Sequence, residues 1–236
     1  MAASSIRART RSTDAADSAL FGPMLPPAIA LYQIGPVLEA LSILGTFVFA
    51  ASGALAAARL RQTLVTFAFF ALVTGVGGGT VRDLLIGAPV FWVHDAVPAI
   101  ACMIAALLIW FTPRRWWSDR ALDWLDAVGL AAFAVYGAAK AMSYGVPPFV
   151  AAMMGVVTGC VGGIMRDLLA GEPSILLRPE LYVTAAALSS GLFAVLRWWG
   201  LDVPVAGLIA ALLGFLLRAV AIWRGLGLPH YKARGD

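Results

Sequence analysis

The chain has 236 residues, 61% of them hydrophobic and 13% charged, with a net charge of +4. Soluble globular domains carry about 25% charged residues, so this composition excludes an ordinary water-soluble domain, whose surface it would leave covered in apolar patches. A charge this small gives no electrostatic footprint for nucleic acid, and membrane lipid is the expected surrounding instead.

Residues 1–35 carry Arg7, Arg9 and Arg11, followed by Pro23, Pro26 and Pro27. The prolines interrupt the apolar stretch a signal peptide would need, so a disordered N-terminal tail is the preferred reading. Apolar runs then fall at about 36–58, 63–87, 91–111, 122–143, 147–170, 179–199 and 203–223. Runs of about 18 or more apolar residues read as spanning helices, which predicts an all-α integral membrane protein of seven transmembrane helices. Several runs are rich in Ala and Gly, which lets helix backbones approach closely. All eight tryptophans (Trp92, Trp110, Trp116, Trp117, Trp124, Trp198, Trp199 and Trp223) lie at or just beyond run ends, as an aromatic belt at the two membrane–water interfaces would place them.

Arginine and lysine set the orientation. With seven spans, one side holds the N-terminal tail and the segments near Arg82, Lys140 and Arg197, with 6 basic residues. The other holds 11: Arg59, Arg61, Arg114, Arg115, Arg120, Arg166, Arg178, Arg218, Arg224, Lys232 and Arg234. The second side is expected in the cytoplasm of a multi-pass plasma-membrane protein. The N-terminus is then outside and the C-terminus inside.

Gly75–Pro89 reads GVGGGTVRDLLIGAP and Gly159–Pro173 reads GCVGGIMRDLLAGEP, identical at nine of 15 positions with an offset of 84 and no gap. The same offset pairs Gly45 with Gly129, Phe49 with Phe133, Gly53 with Gly137 and Glu39 with Asp123. Chance likeness between apolar segments would match Ala and Leu, not an Arg-Asp pair inside a glycine frame. The expected organisation is a three-helix repeat over 36–120, a second over 121–200, a seventh helix over 201–224 and a C-terminal tail over 225–236. Three spans is an odd number, so the second repeat enters the membrane inverted, as in many transport proteins.

Four groups of residues are candidates for function. The glycines Gly75, Gly77, Gly78, Gly79, Gly159, Gly162 and Gly163 either pack helices closely or kink or break them near the midplane, where freed carbonyls would face a wet cavity. Their recurrence in both repeats favours the break. The pairs Arg82-Asp83 and Arg166-Asp167 are charges at membrane depth, which default to function. Neighbouring helix residues do not face each other, so each is expected to find an outside partner. Glu39, Arg82, Asp83 and Lys140 gather toward one side, and Asp123, Asp126, Arg166, Asp167 and Arg59 toward the other. These form either salt-bridge latches or vestibules that ions pass. Glu39 is expected against Arg82, and Asp123 or Asp126 against Arg166, while Lys140 either snorkels to the interface or serves the pore. Ser52, Thr74, Tyr136 and Thr158 are the polar side chains at intermediate depth that rank first as pore lining, although such hydroxyls commonly bond their own backbone.

Cys102 and Cys160 sit inside apolar runs and read as small hydrophobes. His94 and His230 lie outside the runs. There is no nucleophile motif, phosphate loop or metal signature, so neither an enzyme nor a cofactor is expected.

The doubled G-x-x-G-G-x-x-R-D-L-L-x-G-x-P pattern with seven spans resembles the trimeric intracellular cation (TRIC) channels, in particular their prokaryotic branch, whose domains have also been labelled as glycine transporters. The likeness covers about 36–224. It implies a homotrimer with a pore in each protomer for potassium and other monovalent cations, lined by the second and fifth helices, kinked at the glycine motifs. The Lys-Glu-Val lipid motif of animal members is absent here. Conduction of monovalent cations is the leading expectation. Secondary transport of a small solute such as glycine is the alternative.

Overall fold

The computed structural model describes residues 35–118, 120–177 and 181–228. Residues 1–34 of the expected N-terminal tail, and Arg178, His230, Lys232 and Arg234, lie outside the described residues. The described residues form helices α1 (Gly35–Arg59), α2 (Leu64–Leu85), α3 (Phe91–His94), α4 (Ala96–Phe111), α5 (Ala121–Ser143), α6 (Pro148–Ala170), α7 (Tyr182–Trp198) and α8 (Val203–Arg224), with one-turn 3-10 segments at Arg114–Trp116 and Ile175–Leu177.

Helices α1, α2, α5, α6 and α8 are long and apolar enough to cross a membrane. Helices α4 and α7 have 16 and 17 residues. At 1.5 Å per residue they fall short of a hydrocarbon core of about 30 Å. The run at 91–111 was expected as one span. It divides because Asp95 is extended and its carboxylate accepts a hydrogen bond from the Val97 N–H at 2.9 Å, starting a new helix.

The core is built of small residues. Helix α1 packs against α2, α4 and α5, and α5 packs in turn against α6, α7 and α8. Leu, Ile, Val and Phe side chains stay exposed around the outside, among them Val65, Phe69, Phe111, Phe149, Leu168 and Leu212. That is the reverse of a soluble protein and suits a lipid surround.

Contacts recur at the offset of 84 and are reciprocal. A Cβ on Gly45 would lie 2.5 Å from the Phe133 ring, and one on Gly129 would lie 2.9 Å from the Phe49 ring. The two phenylalanines meet with centroids 5.4 Å apart. A Cβ on Gly162 would lie 2.6 Å from the Thr74 carbonyl oxygen, and one on Gly78 would collide with the Thr158 carbonyl oxygen. These glycines are the price of a backbone-to-backbone crossing of α2 and α6.

Of the kink or break expected at the glycines, the break is absent. Helix α2 runs without interruption through Gly75–Gly79, and α6 through Gly159–Gly163. Glycine permits a break but does not enforce one. Cys102 fills the space beside Gly75, Met165 beside Gly77, Phe91 beside Gly79, Leu130 beside Gly159 and Tyr182 beside Gly163, and this packing holds the helices.

Candidate functional site

The Arg-Asp motif builds the same device twice. Gly87 and Gly171 each adopt φ +67°, the left-handed conformation that ends α2 and α6. Ala88 N–H then bonds back to the Asp83 carbonyl at 2.8 Å, and Glu172 N–H to the Asp167 carbonyl at 3.0 Å. The returning chain brings the Phe91 N–H to Asp83 Oδ2 at 3.0 Å, and the Ile175 N–H to Asp167 Oδ2 at 2.7 Å. Each aspartate therefore starts the next helical turn with one oxygen and holds its own arginine with the other.

That second bond corrects the expectation that neighbours on a helix need outside partners. Arg82 Nε and Nη2 reach Asp83 Oδ1 at 2.9 and 2.8 Å, and Arg166 Nε and Nη2 reach Asp167 Oδ1 at 2.9 and 2.8 Å. The Cβ atoms diverge, but the arginine stem is long enough to curl back. Each arginine then touches the opposite half of the molecule at matched positions: Arg82 stacks over the Tyr136 ring at 5.0 Å, and Arg166 Nη1 donates to Ser52 Oγ at 3.2 Å.

The third partner differs between the ends. Beside Arg82 it is Lys140, whose Nζ lies 2.8 Å from Asp83 Oδ1. Beside Arg166 it is Asp126, whose Oδ1 lies 2.5 Å from Nη1. Arg82 and Asp83 are fully buried, and Lys140 and Arg166 are 1% exposed. Two cations share one anion at the first end. At the second, two anions share one cation.

Each end opens to a cavity. One of about 590 Å³ is lined by Glu39, Ser42, Phe91, His94, Tyr136 and Lys140 among others. One of about 140 Å³ is lined by Ala56, Arg59, Asp123, Arg166, Asp167 and Glu172 among others. Along α1 the order is Ser42, Phe49, Ala56. Along α5 it is Asp123, Phe133, Lys140. The Phe49–Phe133 pair therefore stands between the two cavities.

Of the expected pairings, Asp126 with Arg166 is present. Glu39 with Arg82 is not: Glu39 is exposed on the cavity rim and makes no ion pair among the described residues, because Asp83 already holds Arg82. Asp123 lies at the rim of the smaller cavity. Lys140 neither snorkels nor stays apart from other charges, since it is buried on Asp83. Ser52 donates to the Phe49 carbonyl at 2.9 Å, and Thr158 to the Met154 carbonyl at 2.6 Å. Thr74 is buried. Tyr136 lines the larger cavity, and the motif glycines line neither cavity.

Two residues escape a reading of the sequence, Arg218 and Tyr182. Arg218 was counted with the cytoplasmic basic residues, but it is 1% exposed inside α8 and lies over the Tyr182 ring at 5.4 Å. Its place inside an apolar run was the available signal.

Taken together, the fold and the doubled charged site define a multi-pass, all-helical membrane protein. A family profile described as "Glycine transporter" matches residues 39–114 and again 123–198. The chain belongs to that family, which solved structures join to the TRIC channels. The TRIC trimeric intracellular cation channel orthologue from Rhodobacter sphaeroides is 41% identical with a TM-score of 0.75, over 80% of this chain and 99% of that one. The UPF0126 inner membrane protein YadS of Escherichia coli K12 is 39% identical over 198 residues, 81% of this chain and 94% of its own. A UPF0126 membrane protein of Vibrio cholerae is 39% identical over 202 residues, 83% of each chain.

Proposed function

We propose that the chain is a passive channel for monovalent cations, potassium first among them, with one ion path inside each protomer of a homotrimer in the plasma membrane. The observation that carries this reading is a pair of charged cavities on opposite ends of one four-helix core (α1, α2, α5 and α6), with the Phe49–Phe133 pair between them. The 41% identity to the Rhodobacter sphaeroides channel supports the same class. The opposite order in which α1 and α5 meet the two cavities supports two repeats in inverted orientation, at 36–120 and 121–200, closed by the helix at 201–224. All seven apolar helices cross the membrane in this reading, the two short ones within locally thinned bilayer.

A cation entering the larger cavity meets Glu39 at the rim, then Lys140 and Arg82 at the base. The two buried positive charges bar it until the Lys140–Asp83 contact opens. Beyond the Phe49–Phe133 pair and the α2–α6 crossing it meets Asp126, Asp167 and Asp123, whose oxygens replace part of its hydration. Secondary transport of glycine rests on the family description alone, and the structural likeness runs to channels.

The test is the purified chain in a planar bilayer. Discrete current steps with a cation-selective reversal potential support the channel, and saturable solute exchange without steps contradicts it. Orientation has its own test. A cysteine at position 145 is expected to label from outside and one at 117 only from inside; the reverse pattern overturns the assignment.

A further inference from the structure

Helix α8 lies outside the repeat and has no counterpart among the matched contacts. Its buried face is a seam of small residues: Ala206, Gly207, Ala210, Gly214 and Ala221. The seam lets α8 close on α7, where Gly214 presses against Ser189 with no room for a side chain. Close packing accounts for these small residues, but not for a long charged one among them. The one long side chain on that face is Arg218, 1% exposed. A guanidinium buried at membrane depth is expensive and defaults to function.

Its position indicates what it does. The Arg218 guanidinium lies 5.4 Å from the centroid of the buried Tyr182 ring, within cation–π range. The far end of that ring reaches the Arg166 cluster. A Cβ on Gly163 would lie 2.7 Å from Tyr182 Oη, 3.2 Å from Asp126 Oδ1 and 3.7 Å from Arg166 Nη2. The hydroxyl, the carboxylate and the guanidinium therefore converge on the bare face of one glycine. At the matched point in the other half the Phe91 ring lies beside Gly79, but it carries no hydroxyl, and the residue 84 positions before Tyr182 is Pro98.

We propose that Arg218 is a positioning residue for the ion path: through Tyr182 it braces the Asp126–Arg166 pair and sets how readily that pair parts for a cation. The inference rests on the channel reading. Arg218 need not touch the ion, because it acts on the ring that confines the pair.

The test uses single-channel recording of the full chain carrying Arg218→Gln, Arg218→Lys, Tyr182→Phe and the double variant Arg218→Gln/Tyr182→Phe, with trimer melting in detergent as a separate readout. Arg218→Gln is expected to raise open probability several-fold, and Arg218→Lys to restore it in part by returning a cation to the ring face. Tyr182→Phe keeps the ring and removes the hydroxyl, so it is expected to raise open probability with little change in melting. Because the two residues act in series, the double variant should exceed neither single by much. Effects that add, or variants that open like the parent, overturn the proposal. Should Arg218→Gln fail to assemble, Tyr182→Phe alone decides: an unchanged open probability overturns the proposal. A parent that passes no current overturns the channel reading instead, and this inference with it.

Discussion

The Arg82 end and the Arg166 end share a backbone, a turn and an Arg-Asp clamp, and differ in one charged partner each. Lys140 joins the first and Asp126 the second. At the matched places the other half has Ala56 and Ser42. Duplication thus supplied one scaffold, and two substitutions gave its copies opposite sign. A cation approaching the Lys140 end is opposed, and one approaching the Asp126 end is drawn in.

This difference makes the two ends fail in opposite ways. Arg166 is the one cation that Asp126 and Asp167 share. Arg166→Ala is expected to destabilise the fold by about 3–5 kcal/mol, because buried charges lose their partner. Arg82→Ala is expected to cost clearly less, since Lys140 still faces Asp83. For the carboxylates the order inverts. Asp83→Asn strands two buried cations and is expected to cost about 3–5 kcal/mol, while Asp167→Asn leaves Arg166 on Asp126 and costs less. Thermal unfolding of the four variants in detergent checks both orders, with exposed Arg224→Ala within about 0.5 kcal/mol of the parent as control. Equal losses at both ends would break the comparison.

The helix crossing shows where the ends are alike. Gly78→Leu and Gly162→Leu each drive a side chain into the other repeat's threonine carbonyl, and each is expected to cost at least about 1–3 kcal/mol by overpacking. The two losses should match to within about 0.5 kcal/mol. Both variants should also conduct far less, and conduction like the parent's would move the path away from the crossing. The smallest effect is expected at Gly191, inside α7 with nothing near its missing Cβ. Gly191→Ala should stabilise by up to about 1 kcal/mol through helix propensity, read as a higher melting temperature.

Much of this was legible in the sequence because membrane depth makes each polar residue conspicuous. The apolar runs marked the long helices, and the offset of 84 located both Arg-Asp pairs and the Phe49–Phe133 match. That Arg166 meets an acid of α5 followed from which charges fall on one side, while the choice of Asp126 over Asp123 came from the structure. The clamp itself was not legible. A helical wheel separates adjacent residues, whereas arginine spans the gap with its stem, and Glu39 lost Arg82 for that reason. Continuity through the glycines was hidden as well, because whether a glycine run breaks depends on what fills the space beside it. Arg218 was misplaced because a charge count by span end does not show which way a side chain turns. Lys140 was open between interface and pore, and only the three-dimensional placement of Asp83 decided for burial.

The two cavities are proposed as the ends of one cation path in each protomer. Recording from Lys140→Met and Asp126→Asn variants in planar bilayers, under opposite ion gradients, tests it most directly. Cation-selective steps are expected in the parent, with more frequent openings when Lys140 loses its charge and smaller cation currents when Asp126 loses its charge. Steps that are unchanged in both variants would contradict it.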